Sequence, residues 1–148
     1  MRIRLFRKED AIKVSYIIKR SLIEVNSIDY PKKVIQFLCD AHSPEMLIEN
    51  SQKKQIFVAV EKNDIIGTAS LDENWIGGMF VDPKVHKKGI GTRLITFLEK
   101  RARKNGYKFV QLGASLTAYE FYQKKGYKKV KKRHNKNIGT VILMRKHL

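Results

Sequence analysis

Residues 75–104 constrain this chain more than any other stretch. Trp75-Ile76-Gly77-Gly78-Met79-Phe80-Val81 is an apolar run of strand length, closed by Asp82-Pro83. From Gly89 to Lys104 the spacing changes to that of a helix, with Ile90, Leu94, Ile95, Leu98 and Ala102 on one face and Asn105-Gly106 as its stop. The connection carries His86, Lys87, Lys88, Gly89, Ile90, Gly91, Thr92 and Arg93. A helix start leaves about four N–H groups without intrahelical partners, and the macrodipole makes that end partly positive. Gly89 and Gly91 remove the Cβ atoms that would block an approaching anion, and Lys87, Lys88 and Arg93 add charge. This segment therefore predicts a cradle for a diphosphate-sized group. A dinucleotide fingerprint would need a small residue at 94, where Leu stands, and an acidic residue about 20 positions on, where Gln111 stands. The P-loop string is absent altogether. A Gly-x-Gly pair alone also serves as a tight strand-to-helix connection.

The remaining elements fall around this unit. Ile3 to Phe6 predicts a short strand, and Ala11 to Val25 a helix with Val14, Ile17, Ile18 and Leu22 inward. Pro31 opens a second helix, and Ser43-Pro44-Glu45 caps a third. Ile56–Val60 and Ile65–Leu71 flank Lys62-Asn63-Asp64 as a hairpin. Phe109–Leu112 is a strand and Leu116–Lys125 a helix, closed by Gly126. Tyr127–Lys131 and Ile138–Met144 form a last strand pair. The string β-α-α-(α)-β-β-β-α-β-α-β-β predicts an α/β (α+β) fold, a mixed sheet of about seven strands flanked by helices. No linker or repeat interrupts the 148 residues, so one domain is expected.

The charge is uneven. The formal net charge is +17, and residues 99–148 hold 15 basic side chains against Glu99 and Glu120 alone. Such a field attracts polyanions. Lysine-rich drift at solvated positions explains the excess equally well. Zinc-finger spacing, aromatic RNA-binding signatures and helix-turn-helix signals are absent, so a nucleic-acid partner is not favoured. No apolar run approaches the ~20 residues of a membrane span, and Met1-Arg2-Ile3-Arg4 is not a secretory leader. Cys39, the one cysteine, supports neither an internal disulfide nor a cysteine-based zinc site. A cytoplasmic protein without metal or membrane partner is expected.

The segment from Met79 to Val130 resembles the GNAT superfamily of acetyl-CoA-dependent N-acetyltransferases. The family's Gln/Arg-x-x-Gly-x-Gly/Ala motif corresponds to His86-Lys87-Lys88-Gly89-Ile90-Gly91. Its Asn-x-x-Ala-x-x-Phe-Tyr motif, followed by a Gly-aromatic stop, corresponds to Ser115 through Ala118, Phe121 and Tyr122 to Gly126-Tyr127. The resemblance implies a mostly antiparallel sheet and acetyl-CoA as cosubstrate. It places the pyrophosphate on the amides of 87–92, the pantetheine arm beside Met79-Phe80-Val81, and Ser115 and Ala118 near the arm. An N–H of Phe80 or Val81 would polarise the thioester carbonyl. Tyr122 takes the position of the acid that protonates the departing thiolate. The acceptor, a small-molecule or peptide amine, would meet the first two helices near Asn26, Asp29 and Tyr30, with Trp75 as a wall. His86 and Ser115 depart from the usual Gln/Arg and Asn. The strand carries no carboxylate for the general base. Asp72 and Glu73 are the nearest acids and read as solvated turn residues, and His42 reads as a surface histidine. Two other readings stay open: a nucleic-acid- or ribosome-associated basic protein, and a relative that binds CoA without transferring.

Overall fold

The computed structural model describes residues 1–85 and 89–148. Its centre is a seven-stranded sheet with β1 Arg2–Leu5, β2 Gln55–Glu61, β3 Asp64–Asp72, β4 Trp75–Val81, β5 Phe109–Ser115, β6 Lys128–Asn135 and β7 Gly139–His147. The strand order is β1-β2-β3-β4-β5-β7-β6. Neighbours run antiparallel except β4 and β5, which run parallel. The helices are α1 Ala11–Glu24, α2 Lys32–Ala41, α3 Pro44–Asn50, α4 Ile90–Lys104 and α5 Tyr119–Lys124. No helix among the described residues is long and apolar enough to cross a membrane.

Side chains alternate across a strand, and here both faces of the central strands are covered, while every residue of β6 is exposed. Phe57 and Ala59 of β2 face one cluster, with Leu94, Ile95, Leu98 and Ala102 of α4 and Leu112 and Met144. Val58 and Val60 face the other, with Val14, Ile17, Ile18 and Leu22 of α1 and Val34, Ile35 and Cys39 of α2. This two-sided burial is why β2 and β3 read as nearly unbroken apolar runs.

Local chemistry sets the boundaries. Lys62 and Asn63 take positive φ (51° and 66°), the two-residue hairpin geometry that fits the twist of the flanking strands. Ser43 Oγ accepts from Met46 N and caps α3. Pro31 is the N-cap of α2, one position earlier than its expected place in the first turn. The last helix starts later than its spacing predicts. Ser115 Oγ accepts from Ala118 N at 3.1 Å, and this turn keeps 116–118 out of α5 and leaves β5 running on to Ser115. Glu99, buried on α4, accepts from Tyr127 Oη at 2.7 Å and from Lys146 Nζ at 3.1 Å, which ties α4 to the C-terminal hairpin.

Candidate active site

β4 and β5 pair over two rungs only, Trp75 with Gln111 and Ile76 with Leu112. Beyond them β4 stays with β3, and β5 stays with β7 as far as Ser115. The sheet therefore splits, and each strand turns a backbone edge toward the gap. β4 also bulges. Ser70 pairs with Gly77 and Thr68 with Phe80, so Gly78 and Met79 share the single place opposite Ala69. Gly78 takes φ +53°, a conformation that glycine adopts without a Cβ penalty and that a bulge of this kind requires.

A cleft of about 420 Å³ occupies the split. Gly77–Val81 and Leu112, Gly113 and Ser115 form its floor. Ser21, Leu22, Val25 and Asn26 close it from the α1 side, with Tyr30 and Leu38. Ala118 and Tyr122 complete one wall, and Ile138 and Val141 another. Of the residues singled out in the sequence, Met79, Phe80, Val81, Ser115, Ala118, Tyr122, Asn26 and Tyr30 thus meet at one cavity.

Trp75, Asp29, Asp72 and Glu73 are placed otherwise. Trp75 opens β4 at the paired end, is 42% exposed and does not line the cleft. A strand seven residues long carries its first side chain about 20 Å from its last, so Trp75 lies far along β4 from Val81. Asp29 sits at the rim, where its carboxylate accepts from Thr117 Oγ1 at 2.8 Å. Tyr30 lines the cleft with its ring alone. Its hydroxyl donates to Thr140 O at 2.6 Å and accepts from Leu116 N at 2.9 Å, so it braces β7 and the segment after β5. Asp72 and Glu73 belong to a separate, open depression of about 530 Å³ at the Trp75 end of β4. No carboxylate lines the cleft among the described residues.

At the start of α4 the two glycines divide the work. Gly89, the N-cap, holds φ +72°, and a Cβ built there would meet none of the described residues within 4 Å. A Cβ on Gly91 would lie 3.3 Å from Phe121 Cζ. The bareness of Gly91 is taken up by α5, not by open space, which corrects the expectation that both glycines clear room for a phosphate. The first helical bond of this end runs from Arg93 N to Gly89 O at 2.9 Å, so the amides of Ile90, Gly91 and Thr92 have no intrahelical partner. Ile90 sends its side chain into the core. His86, Lys87 and Lys88 lie outside the described residues.

Tyr122 is 7% exposed and packs edge-on against Phe121 and Tyr127, with centroids 5.2 and 5.8 Å apart. Burial pushes its phenol well above the ordinary value. The sequence left His42 unassigned, and the structure does not put it on the surface. It is half-buried at the end of α2, with its ring edge-on to Phe80 at 5.8 Å.

A split parallel pair, a glycine bulge beside it and a glycine-capped helix start give this α/β fold an open seam in its sheet beside the first amides of α4. Residues 26–148 match the acetyltransferase (GNAT) domain model, and the chain belongs to that family. It is 30% identical over 109 residues to S-(2-succino)cysteine N-acetyltransferase of Bacillus subtilis, covering 63% of this chain. The chain spans 66% and 52% of the lengths of the curated relatives it matches. A GCN5-related N-acetyltransferase structure from Rhodopseudomonas palustris superposes with TM-score 0.93 at 25% identity, over 99% of this chain and 95% of that one. The PaiA N-acetyltransferase from Thermoplasma acidophilum, solved with coenzyme A, shares the fold at TM-score 0.83 and 22% identity over the full length of both.

Proposed function

We propose that the protein is a single-domain, cytoplasmic N-acetyltransferase that moves an acetyl group from acetyl-CoA to a primary amine by direct attack. The observation that carries this reading is the split of β4 from β5 at the Gly78 bulge. A pantetheine arm is a chain of amides, and the free edge of Met79-Phe80-Val81 offers it a strand's worth of partners. The open, left-handed Gly89 and the amides of residues 90–92 fit the pyrophosphate at the mouth of α4. With the carrier so placed, an N–H of Phe80 or Val81 holds the carbonyl oxygen as it gains charge. Ser115, tied into its own turn, borders the arm and does not clamp it. The acceptor enters between Asn26 and Tyr30.

Tyr122 lines the cleft in the position of the acid. Its raised pKa keeps the phenol protonated at neutral pH, so it donates a hydrogen bond to sulfur as the C–S bond breaks. Tyr122→Phe is expected to lower kcat about 10–100-fold and to leave acetyl-CoA affinity within about twofold. Single-turnover kinetics beside calorimetry check this, and an unchanged kcat removes the role. The reading as a whole is tested by thiol release from acetyl-CoA with a panel of amines. Amino-acid derivatives come first in that panel, as the Bacillus relative's name suggests. Micromolar acetyl-CoA binding with turnover of one panel member is expected. Absence of binding would overturn the reading.

A further inference from the structure

An amine that attacks a thioester must shed a proton, and among the described residues no carboxylate lines the cleft. An imidazole stands behind its floor. His42 Nδ1 lies 2.7 Å from Leu38 O. A carbonyl oxygen only accepts, so Nδ1 carries the proton and the neutral ring keeps its lone pair on Nε2. Burial pushes the imidazole below its ordinary pKa and Lys54 adds to this, outweighing the bond to Leu38. The ring is therefore unprotonated at neutral pH.

His42 lines a chamber of about 30 Å³ whose polar walls are Asn50, Lys54, Thr68 and Ser70, with Gly78 and the apolar Ile18, Leu47 and Ile56 completing it. That volume holds one water, and the walls supply polar partners for it. The chamber backs onto the bulge. A Cβ at Gly77 would come within 3.4 Å of Ser70 Oγ, and one at Gly78 within 3.6 Å. Neither residue has one. Gly77 and Gly78 both line the cleft, and Gly78 also lines the chamber. The two glycines thus leave a window between the acyl cleft and the imidazole.

We infer that His42 is the general base of the transfer, receiving the acceptor's proton through the Gly77–Gly78 window by way of Ser70 and one water. This rests on the acetyltransferase reading above. As nitrogen bonds to the thioester carbon, the carbonyl π pair moves to oxygen. The proton lost from nitrogen enters the relay, and a proton arrives on Nε2. When the tetrahedral centre collapses, the C–S pair leaves on sulfur, which takes a proton from solvent while Tyr122 hydrogen-bonds it. The imidazolium then returns its proton to water. Lys54 is the charged group that faces the imidazole. Asn50 of α3, Thr68 and Ser70 of β3 and Phe80 of β4 are neutral, as is Ser15 of α1, whose hydroxyl donates to His42 O.

His42→Asn separates a structural histidine from a base, because the Asn amide can still donate toward Leu38 O. With an amine that the parent acetylates, kcat/KM at pH 7 is expected to fall about 100-fold, with acetyl-CoA affinity unchanged by calorimetry. An alkylamine ionises near pH ~10 and gives log kcat/KM a slope of one below that pH. The parent should steepen to a slope of two once pH falls through the depressed pKa of His42, where the ring adds its own proton, and the variant should keep a slope of one throughout. Ser70→Ala should lose about 10-fold and keep the parent's slopes. Nitrogen-15 NMR of the parent should show His42 as the Nδ1–H tautomer titrating below about 6.5. This measurement and Ser70→Ala decide the matter if the Asn variant does not fold. A folded His42→Asn protein with parental kcat/KM and slopes overturns the inference, as does an Nε2–H tautomer. A parent that binds acetyl-CoA but acetylates no amine removes the transfer reading and this base with it. A parent that turns over beside a silent His42 removes the base alone.

Discussion

Gly89→Val is expected to weaken acetyl-CoA binding by at least about 100-fold, or about 2.7 kcal/mol. Two effects act together. The backbone at 89 sits at φ +72°, where a β-branched residue is strained by about 1–2 kcal/mol. The new side chain also enters the open space over the first amides of α4, which the pyrophosphate is proposed to fill. The molecule supplies its own control. Gly106, at the other end of α4, has φ +93° and equally empty surroundings. Gly106→Val carries the same kind of strain and should lower Tm comparably while leaving acetyl-CoA affinity at the parental value. Calorimetric titration of both variants checks the pair. Equal losses at 89 and 106, or parental affinity at 89, would move the pyrophosphate elsewhere.

Gly139→Ala should be the most destabilising single-methyl change in the C-terminal hairpin. A Cβ at Gly139 would lie 2.8 Å from both Cδ1 and Cε1 of Tyr30, and φ is +77°. The ring must shift, and its hydroxyl then loses Thr140 O and Leu116 N, leaving backbone groups short of partners. Strain and lost bonds together come to about 3 kcal/mol. For a chain of this size that lowers Tm by about 6–12 °C. Tyr30→Phe removes the same two bonds without strain and should lose about half as much, so that the two losses do not add in the double variant. Thermal unfolding of the three proteins tests this, and full additivity would mean that the glycine and the tyrosine hydroxyl act independently.

What the sequence disclosed was local, and what it withheld was tertiary. The hairpin at Lys62-Asn63-Asp64, the cap at Ser43 and the stops at Gly106 and Gly126 each lie within a few residues of what they control. The element order and the alternation of buried residues followed from these. Resemblance to a family then brought Met79, Phe80, Val81, Ser115, Ala118 and Tyr122 to one expected place, and the cleft gathers them. Trp75 stands outside the cleft lining, at the end of β4 that pairs with β5, and periodicity does not tell a strand's two ends apart. The hydroxyl of Tyr30 could not be read at all, since its partners stand 86 and 110 residues away. Gly91 looked like Gly89 because Phe121 is distant in sequence. His42 lacked any flanking motif, and its ring gets its setting from Phe80 of β4 and from residues of α3 and β3 that are distant in sequence.

The short ladder between β4 and β5 carries a consequence for the protein's lifetime in a cell. Backbone left without neighbours midway through a sheet lowers the resting state's margin against unfolding. A guest that lies in the seam adds RT ln(1 + [L]/Kd), about 2.7 kcal/mol when present at a hundred times its dissociation constant. Abundance of the folded chain would then track the supply of its own acyl donor, with starved cells clearing the protein faster than fed ones.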